Sequence, residues 1–371
     1  MKTTKGLYIH IPFCLSKCTY CDFYSVAIDT EMMNSYVDAL VDEIRLSGLK
    51  NEETILDSIY IGGGTPSVLP LSFLEKIVLA IHNSFSLNLK EFSIEVNPAT
   101  NINFKNYRDL GIDRVSLGVQ TLNDKLLKII GRRHDSTLAL KTIDEANKYF
   151  DKVSCDLMIG LPTQTNFDVE TSAKTLSSKV KHISMYMLKI SNNVKMANQI
   201  RKGDFCLPND DDTVDQYEIA YDIFKNNGLY RYEISNFSAP QYESYHNLKY
   251  WNREQYIGLG ASAHGFVNNE RYCNPSNIKE YIAGKNYGHG KEIKEFVSES
   301  DALFETIMLA LRMPKGIDIS SINRDFNIDF EEKYREQLNY LKPFLQKVDN
   351  HISIKEDKLL LESAIVREFL I

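Results

Sequence analysis

The stretch Tyr8-Ile9-His10-Ile11-Pro12-Phe13-Cys14-Leu15-Ser16-Lys17-Cys18-Thr19-Tyr20-Cys21 constrains this chain more than any other. Leu7 to Ile11 is a short apolar run that reads as a buried strand. Pro12 ends its ladder, and a loop then presents three thiols at CxxxCxxC spacing. A closed structural zinc site takes four ligands. Three thiolates on a [4Fe-4S] cube leave one iron with an open position for a small molecule. The competing reading is a zinc knuckle completed by His10 or by a distant cysteine.

With an aromatic residue, Tyr20, directly before the last cysteine, the motif resembles the signature of the radical SAM superfamily. The resemblance implies that S-adenosylmethionine (SAM) chelates the open iron of a cluster held by Cys14, Cys18 and Cys21. It implies too that the reduced cluster is able to cleave the sulfonium to a 5′-deoxyadenosyl radical. The rest of the chain agrees with an α/β fold. Strands are expected at Ser58 to Ile61, Phe92 to Val96, Arg114 to Val119, Val153 to Ile159 and Ile183 to Leu188. Helices are expected at Ser35 to Leu49, Leu71 to Phe85 and Ser136 to Phe150. Six parallel strands are too few for a closed eight-stranded barrel, and the resemblance implies the partial (β/α)6 TIM-like barrel of the superfamily. Function then belongs at the C-terminal strand ends.

The other motifs sit at such ends. Gly62-Gly63-Gly64-Thr65-Pro66 follows the second strand, where residues without Cβ let the backbone approach a ligand closely. Glu95 closes the third strand before Asn97-Pro98, where a carboxylate can accept hydrogen bonds from ribose hydroxyls. Gln120 follows Leu117-Gly118-Val119, Arg132 lies in Gly131-Arg132-Arg133, and Asp156 opens Asp156-Leu157-Met158-Ile159-Gly160-Leu161-Pro162. Each has a plain surface reading when taken alone.

Taken in order, YIHIPFC, GGGTP, IEVNP, SLGVQ, GRRH and DLMIGLP closely resemble the family of the oxygen-independent coproporphyrinogen III dehydrogenase HemN and its relative, the haem chaperone HemW. The resemblance spans nearly the whole chain. Carried over by position, it implies SAM contacts at Tyr8, Gly63, Gly64, Thr65 and Glu95, with Gln120, Arg132 and Asp156 matching positions that meet a second SAM in the dehydrogenase. The dehydrogenase places a further cysteine two residues after the third ligand, whereas this chain has Cys21-Asp22-Phe23, and its first strand starts within a few residues of Met1. Both departures point away from porphyrinogen oxidation.

His246-Asn247-Leu248-Lys249-Tyr250-Trp251 matches the HNxxYW motif that marks the chaperone branch, and it holds the only tryptophan. A neutral imidazole can ligate haem iron and an aromatic pair can cover a macrocycle. His246 is therefore the haem-ligand candidate, with Tyr250 and Trp251 beside it. The plainer reading is that these residues pack the barrel against the following domain. His264, in Ile257-Gly258-Leu259-Gly260-Ala261-Ser262-Ala263-His264-Gly265, is a second candidate. The family's Pro-Gly-Thr stretch is replaced here by Ile190-Ser191-Asn192-Asn193-Val194-Lys195. Asp210-Asp211-Asp212 reads as a helix N-terminus rather than a metal site.

The expected domains are a barrel over 1–240, a connecting segment over 241–300 carrying HNxxYW, and a C-terminal domain over 301–371. In that last part, helices at Phe304 to Arg312, Ser320 to Phe326 and Phe330 to Phe344 are followed by a hairpin of His351 to Ile354 with Leu359 to Leu361, then a helix at Ser363 to Phe369. This resembles a winged helix. A net charge of -7 and the lack of a basic recognition helix argue against nucleic-acid binding. Cys155, Cys206 and Cys273 lie far apart and suggest no disulfide framework, which fits a cytoplasmic protein. No bilayer-spanning stretch or signal peptide is legible, so membrane contact is expected to be peripheral at most. The resemblance implies haem as cargo, haem-accepting proteins of respiration as partners, and compatibility with a homodimer. The scaffold is able in principle to cleave SAM, and coproporphyrinogen turnover is not expected.

Overall fold

Alternation along the first strand sets the architecture. In β1, Thr3–Ile11, the side chains of Leu7, Ile9 and Ile11 are fully buried and join Tyr36, Leu40 and Ile44 of helix α1, Thr30–Lys50, in the main core. Tyr8, on the alternate face, keeps partial access. The computed structural model describes residues 3–99, 102–284 and 293–370.

Five more strands run parallel to β1 in sequence order: β2 (Thr54–Gly63), β3 (Ser86–Val96), β4 (Arg114–Gln120), β5 (Lys152–Ile159) and β6 (His182–Met187). Helices α1, α2 (Leu71–Ser84), α3 (Ser136–Ala146) and α4 (Asn166–Ser177) cross between them. This is the expected partial barrel. The helices start where side-chain caps satisfy their free N–H groups. Asp29 accepts from Met32 N at 2.8 Å ahead of α1, and Thr165 and Asp168 form a capping box ahead of α4. Asp210, Asp211 and Asp212 occupy the first turn of α5, Asp210–Asn226.

The sheet then extends at both edges. At one edge the short strand β7 (Tyr230–Arg231) pairs antiparallel with β8 (Asn236–Ser238), which in turn pairs antiparallel with β6. Beyond helix α6, Tyr245–Trp251, strand β9 (Tyr256–Leu259) pairs parallel to β1. Strands β10 (His264–Val267), β11 (Glu270–Cys273) and β12 (Ile293–Phe296) follow antiparallel, giving twelve strands in all. The segment 241–300 is thus built into the sheet, with its residues 285–292 outside the described ones.

One charge pair holds the floor. Arg114 Nε lies 2.8 Å from Glu91 Oε2, the two side chains being 2% and 1% exposed. Arg114 also donates to Ser154 Oγ at 3.1 Å and to the carbonyls of Tyr242 and Glu243, both at 2.8 Å. Glu91 accepts from Ser244 Oγ at 2.9 Å and from the N–H groups of Tyr245 and His246 at 2.9 and 3.2 Å, the first turn of α6. Burial opposes the Glu91 charge, but Arg114 and those N–H groups hold its carboxyl below the usual range.

The C-terminal part has its own core of Leu303, Ile307, Ile322, Phe330, Ile352 and Phe369. Helix α8 (Ile319–Phe326) matches the expectation, whereas α7 (Glu299–Ala310) starts at Glu299, capped by Ser298, and not at the expected Phe304. The single helix expected over Phe330 to Phe344 is instead two, Phe330–Lys333 and Arg335–Tyr340. Between them Tyr334 leaves helical geometry and packs its ring 5.4 Å from Phe369. The hairpin also sits one element earlier: β14, Leu345–Val348, pairs with β15, His351–Ile354, after the two-residue strand β13, Ile317–Asp318. Glu356–Leu361 is a 3₁₀ turn that buries Leu359. Asp349, at φ 51°, makes the tight turn. Arg253 Nε reaches Glu305 at 2.9 Å and Lys225 reaches Glu356 at 3.0 Å across to this domain.

No described helix is long and apolar enough to cross a membrane. Replacing Glu91 by Ala strands a buried guanidinium and is expected to cost about 3–5 kcal/mol. Urea denaturation measures it, and a loss below about 1 kcal/mol would refute the role given to the pair.

Candidate functional site: the barrel mouth and lumen

Cys14 lies on a two-residue strand, Phe13–Cys14, paired in parallel with Val26–Ala27. The loop carrying Cys18 and Cys21 is tied to the barrel through Thr19, whose N–H donates to Ile130 O at 3.1 Å and whose carbonyl accepts from Met196 N at 2.8 Å. Ser191 Oγ donates to Asp22 at 2.6 Å and so braces this loop. The three thiols are unpaired and partly accessible.

A run of contacts links the two outer parts of the loop. Thr65 Oγ1 lies 3.6 Å from Cys14 Sγ and accepts from Asn97 Nδ2 at 2.9 Å. Arg132 donates through Nη2 to Asn97 Oδ1 and Gly118 O, both at 2.5 Å, and through Nη1 to Cys18 Sγ at 3.4 Å. Arg132 Nε is buried with no partner among the described residues, an orphan donor facing this region. Gly64 completes the cradle: a Cβ there would stand 2.8 Å from Phe13 O and 3.0 Å from Cys14 Sγ. These residues fit a [4Fe-4S] cluster. Among the described residues no three His, Cys, Asp or Glu side chains converge as one metal ion requires. A cube takes each thiolate on a different iron and does not need that convergence. Burial pushes the Cys21 thiol up, so cluster binding must displace its proton. Both nitrogens of His10 are engaged, with Tyr8 OH at 3.0 Å and Tyr24 O at 3.3 Å.

Behind the loop, alternate positions of the six strands face a common lumen. Glu95 accepts from Tyr60 OH at 2.9 Å and from Gly63 N at 3.0 Å. Gly63, at φ 119°, takes a conformation that side chains rarely adopt, and a Cβ would meet the His10 ring at 2.7 Å. Tyr8 stacks on Tyr60 with centroids 6.2 Å apart. Burial pushes the Glu95 carboxyl up to about 7, partly offset by its Tyr60 bond and reinforced by Asp156. Burial likewise pushes Asp156 up to about 6 against the pull of Arg132 and bonds from Ser184 and Ser116. Gln120, at φ 72°, ends β4 where the β4–β5 register shifts, and its Nε2 converges with Arg132 and Asn97 over Gly118. Tyr8, Gly63, Gly64, Thr65, Glu95, Gln120, Arg132 and Asp156 thus share one mouth and lumen. Tyr60, Asn97, Ser116 and Ser184 belong there as well. The signal for Tyr60 was its place between Ile59 and Ile61 directly before the glycines.

The HNxxYW motif divides. His246 is 0% exposed in the barrel floor, with Nδ1 2.8 Å from Ser58 Oγ and Nε2 2.8 Å from Tyr250 OH. Neither nitrogen is free, and burial pushes its pKa down to about 4. Trp251, at the other end of α6, lines a cleft of about 840 Å³ shared with Phe296 of β12 and with Met313 and Phe326 of the C-terminal domain. His264 is exposed at the start of β10, away from that cleft lining.

Comparison with known proteins agrees with this architecture. The model of the Radical SAM superfamily matches residues 8–176, and that of the HemN C-terminal domain matches residues 297–352. Coproporphyrinogen III oxidase (HemN) from Escherichia coli, a radical SAM enzyme, superposes with a TM-score of 0.86 over 99% of this chain and 90% of its own. At 21% identity that shows the fold alone. The heme chaperone HemW of Lactococcus lactis is 36% identical over 92% of this chain and 90% of the relative. That of Bacillus subtilis is 36% identical over the same shares. The chain belongs to the HemW family of the radical SAM superfamily.

Two outcomes follow for the site. Replacing Cys14, Cys18 or Cys21 singly by Ser is expected to abolish cluster absorbance after anaerobic reconstitution while leaving far-UV circular dichroism unchanged. A second outcome concerns pH. His10, His134 and His246 are each held down to about 4 by burial, from an ordinary 6.5. Between those values the unfolded chain binds protons that the folded chain refuses, so their stabilisation is present above pH 6.5 and is lost as pH falls towards 4. The urea midpoint should fall across that window, less steeply in His134→Gln. An unchanged slope in the variant would contradict the burial of His134.

Proposed function

We propose that this chain is a cytoplasmic haem chaperone: it binds haem, carries a SAM-ligated [4Fe-4S] cluster, and passes haem to acceptor haemoproteins, those of respiration among them. One observation carries this reading: the relatives that match 92% of the chain at 36% identity bear the name heme chaperone. Phe23 supports it. It stands where the dehydrogenase has a further cysteine, and its ring is 67% exposed at the mouth.

In this reading Cys14, Cys18 and Cys21 hold the cluster, and Arg132 balances charge beside Cys18. With a reduced cluster in place, bound SAM would supply radical chemistry. The chain's own residues bind and orient. Gly63 and Gly64 bring backbone groups close, and Glu95, poised near neutrality, accepts from ribose hydroxyls. The carboxyls of Glu95 and Asp156 favour a cationic sulfonium in the lumen.

Haem titration of the anaerobically reconstituted protein is expected to give a saturable Soret band near one haem per chain. With SAM, a reductant and coproporphyrinogen III, no protoporphyrinogen should form. Robust turnover would replace the chaperone by the dehydrogenase, and absence of a Soret change would leave a radical SAM enzyme of another kind.

A further inference from the structure

The parallel pairing of β1 with β9 ends at Ile9 and Leu259, and the chain still has His10, Ile11 and Pro12 to place on its way to Cys14. The carbonyls of those three residues are taken by three different segments. Tyr36 OH of α1 donates to His10 O at 2.6 Å, Gly64 N to Ile11 O at 2.8 Å, and Val26 N to Pro12 O at 2.7 Å. The first donor is a side-chain hydroxyl standing where a longer β9 would have bonded, because Gly260 turns away at φ 100°. The turn lies so close that a Cβ on Gly260 would stand 2.6 Å from both His10 O and Tyr36 OH.

A buried carboxylate holds this turn. Glu43, about two helical turns beyond Tyr36, is 1% exposed. Its Oε2 accepts from Gly260 N at 2.8 Å and from Tyr281 OH at 2.6 Å, and its Oε1 from Asn274 Nδ2 at 2.7 Å. Asn274 Nδ2 also donates to Gly260 O at 3.0 Å, so both backbone groups of Gly260 are bound. Ala261 N donates to Tyr36 OH at 3.1 Å, which makes that hydroxyl the link between the turn and His10. A carboxylate taken out of water demands such donors, and a network satisfied in this way is rigid. On the lumen side the His10 ring packs on Gly63, where a Cβ would meet it at 2.7 Å, and Gly63 N donates to Glu95 at 3.0 Å. A shift of His10 is therefore felt at Cys14 and at Glu95 alike. We propose that Tyr36 and Glu43 are positioning residues of the barrel mouth: given the assignment of Cys14, Cys18 and Cys21 to a cluster and of Gly63 and Glu95 to SAM, they set the geometry in which SAM meets the cluster. Both side chains are closed off from solvent and act through His10 and the Gly260–Ala261 turn.

The test uses the full chain with its cluster reconstituted anaerobically, and compares wild type, Tyr36→Phe, Glu43→Gln and the double variant. Tyr36→Phe keeps the ring, 5.4 Å from that of Phe13, and removes only the hydroxyl. Iron content per chain is expected to match wild type. Isothermal titration with SAM is expected to show about tenfold weaker binding in each single variant. The double variant should be no weaker than the weaker single one, because both changes release the same turn. In dithionite-reduced protein, the change that SAM induces in the cluster's EPR signal should be smaller in the variants than in wild type. Ile44→Val, fully buried on the same helix, is the control: it loosens packing without touching the turn, and its SAM affinity should stay within about twofold of wild type. If Glu43→Gln does not fold, Tyr281→Phe removes one donor from the same carboxylate and should weaken SAM binding in the same direction. Additive losses, an equal loss in Ile44→Val, or an unchanged SAM affinity and EPR response in Tyr36→Phe would each overturn the role given to the pair. Wild-type protein that loads a cluster and binds no SAM would overturn the pocket assignment instead.

Discussion

A carboxylate and a guanidinium closed off from water under the barrel, Glu91 and Arg114, are the interaction on which the lumen depends. Two charges buried this deeply are tolerated only when every donor and acceptor is used, and here the pair ties its own two strands to Ser154 of β5 and to the stretch 242–246. The choice of partners matters more than the charge. Arg114 grips the carbonyls of Tyr242 and Glu243, and Glu91 caps the helix that starts two residues later. A stretch far downstream is thereby clamped across the strands at the start of the chain, and His246 arrives under Tyr60 as a result.

The lumen has two layers with opposite chemistry. In the lower one, polar groups are paired and dry: Glu91 with Arg114, His246 with Ser58 and Tyr250, Lys249 with Asp57 at 2.9 Å. In the upper one, Glu95 and Asp156 retain partial access, and burial holds their carboxyls above the ordinary range, against the pull of Arg132 on Asp156. Satisfied networks give rigidity, and unsatisfied acids with an orphan Arg132 nitrogen give a place for a charged guest.

The strands and the cluster loop were legible because they rest on local signals: the apolar alternation of Leu7, Ile9 and Ile11, the stop at Pro12, and the cysteine spacing. Glu95 and Asp156 were legible as strand-end acids. Other features were hidden for physical reasons. Strand β14 buries only Leu345 and exposes Gln346, Lys347 and Val348, so it has no period to detect. The break at Tyr334 follows from packing against Phe369, a contact made across the domain. The environment of His246 depends on Ser58 and Glu91, 188 and 155 residues away, and no local pattern reports it. Its i, i+4 relation to Tyr250 was in plain view, however, and already separated both from Trp251.

That separation bears on how a carrier differs from a catalyst built on the same barrel. The residues that would hold a cluster and SAM are assembled here without a gap, from Cys14 to Asp156, and the floor is arranged to keep them still. Nothing at that end of the lumen distinguishes transport from turnover. The features outside that arrangement lie on the rim and beyond: Phe23 is exposed, Ser191 holds Asp22, and Trp251 opens on a cleft instead of the lumen. A fold does not by itself fix function, so the surface around the strand ends is where a carrier and a catalyst built on one barrel can differ.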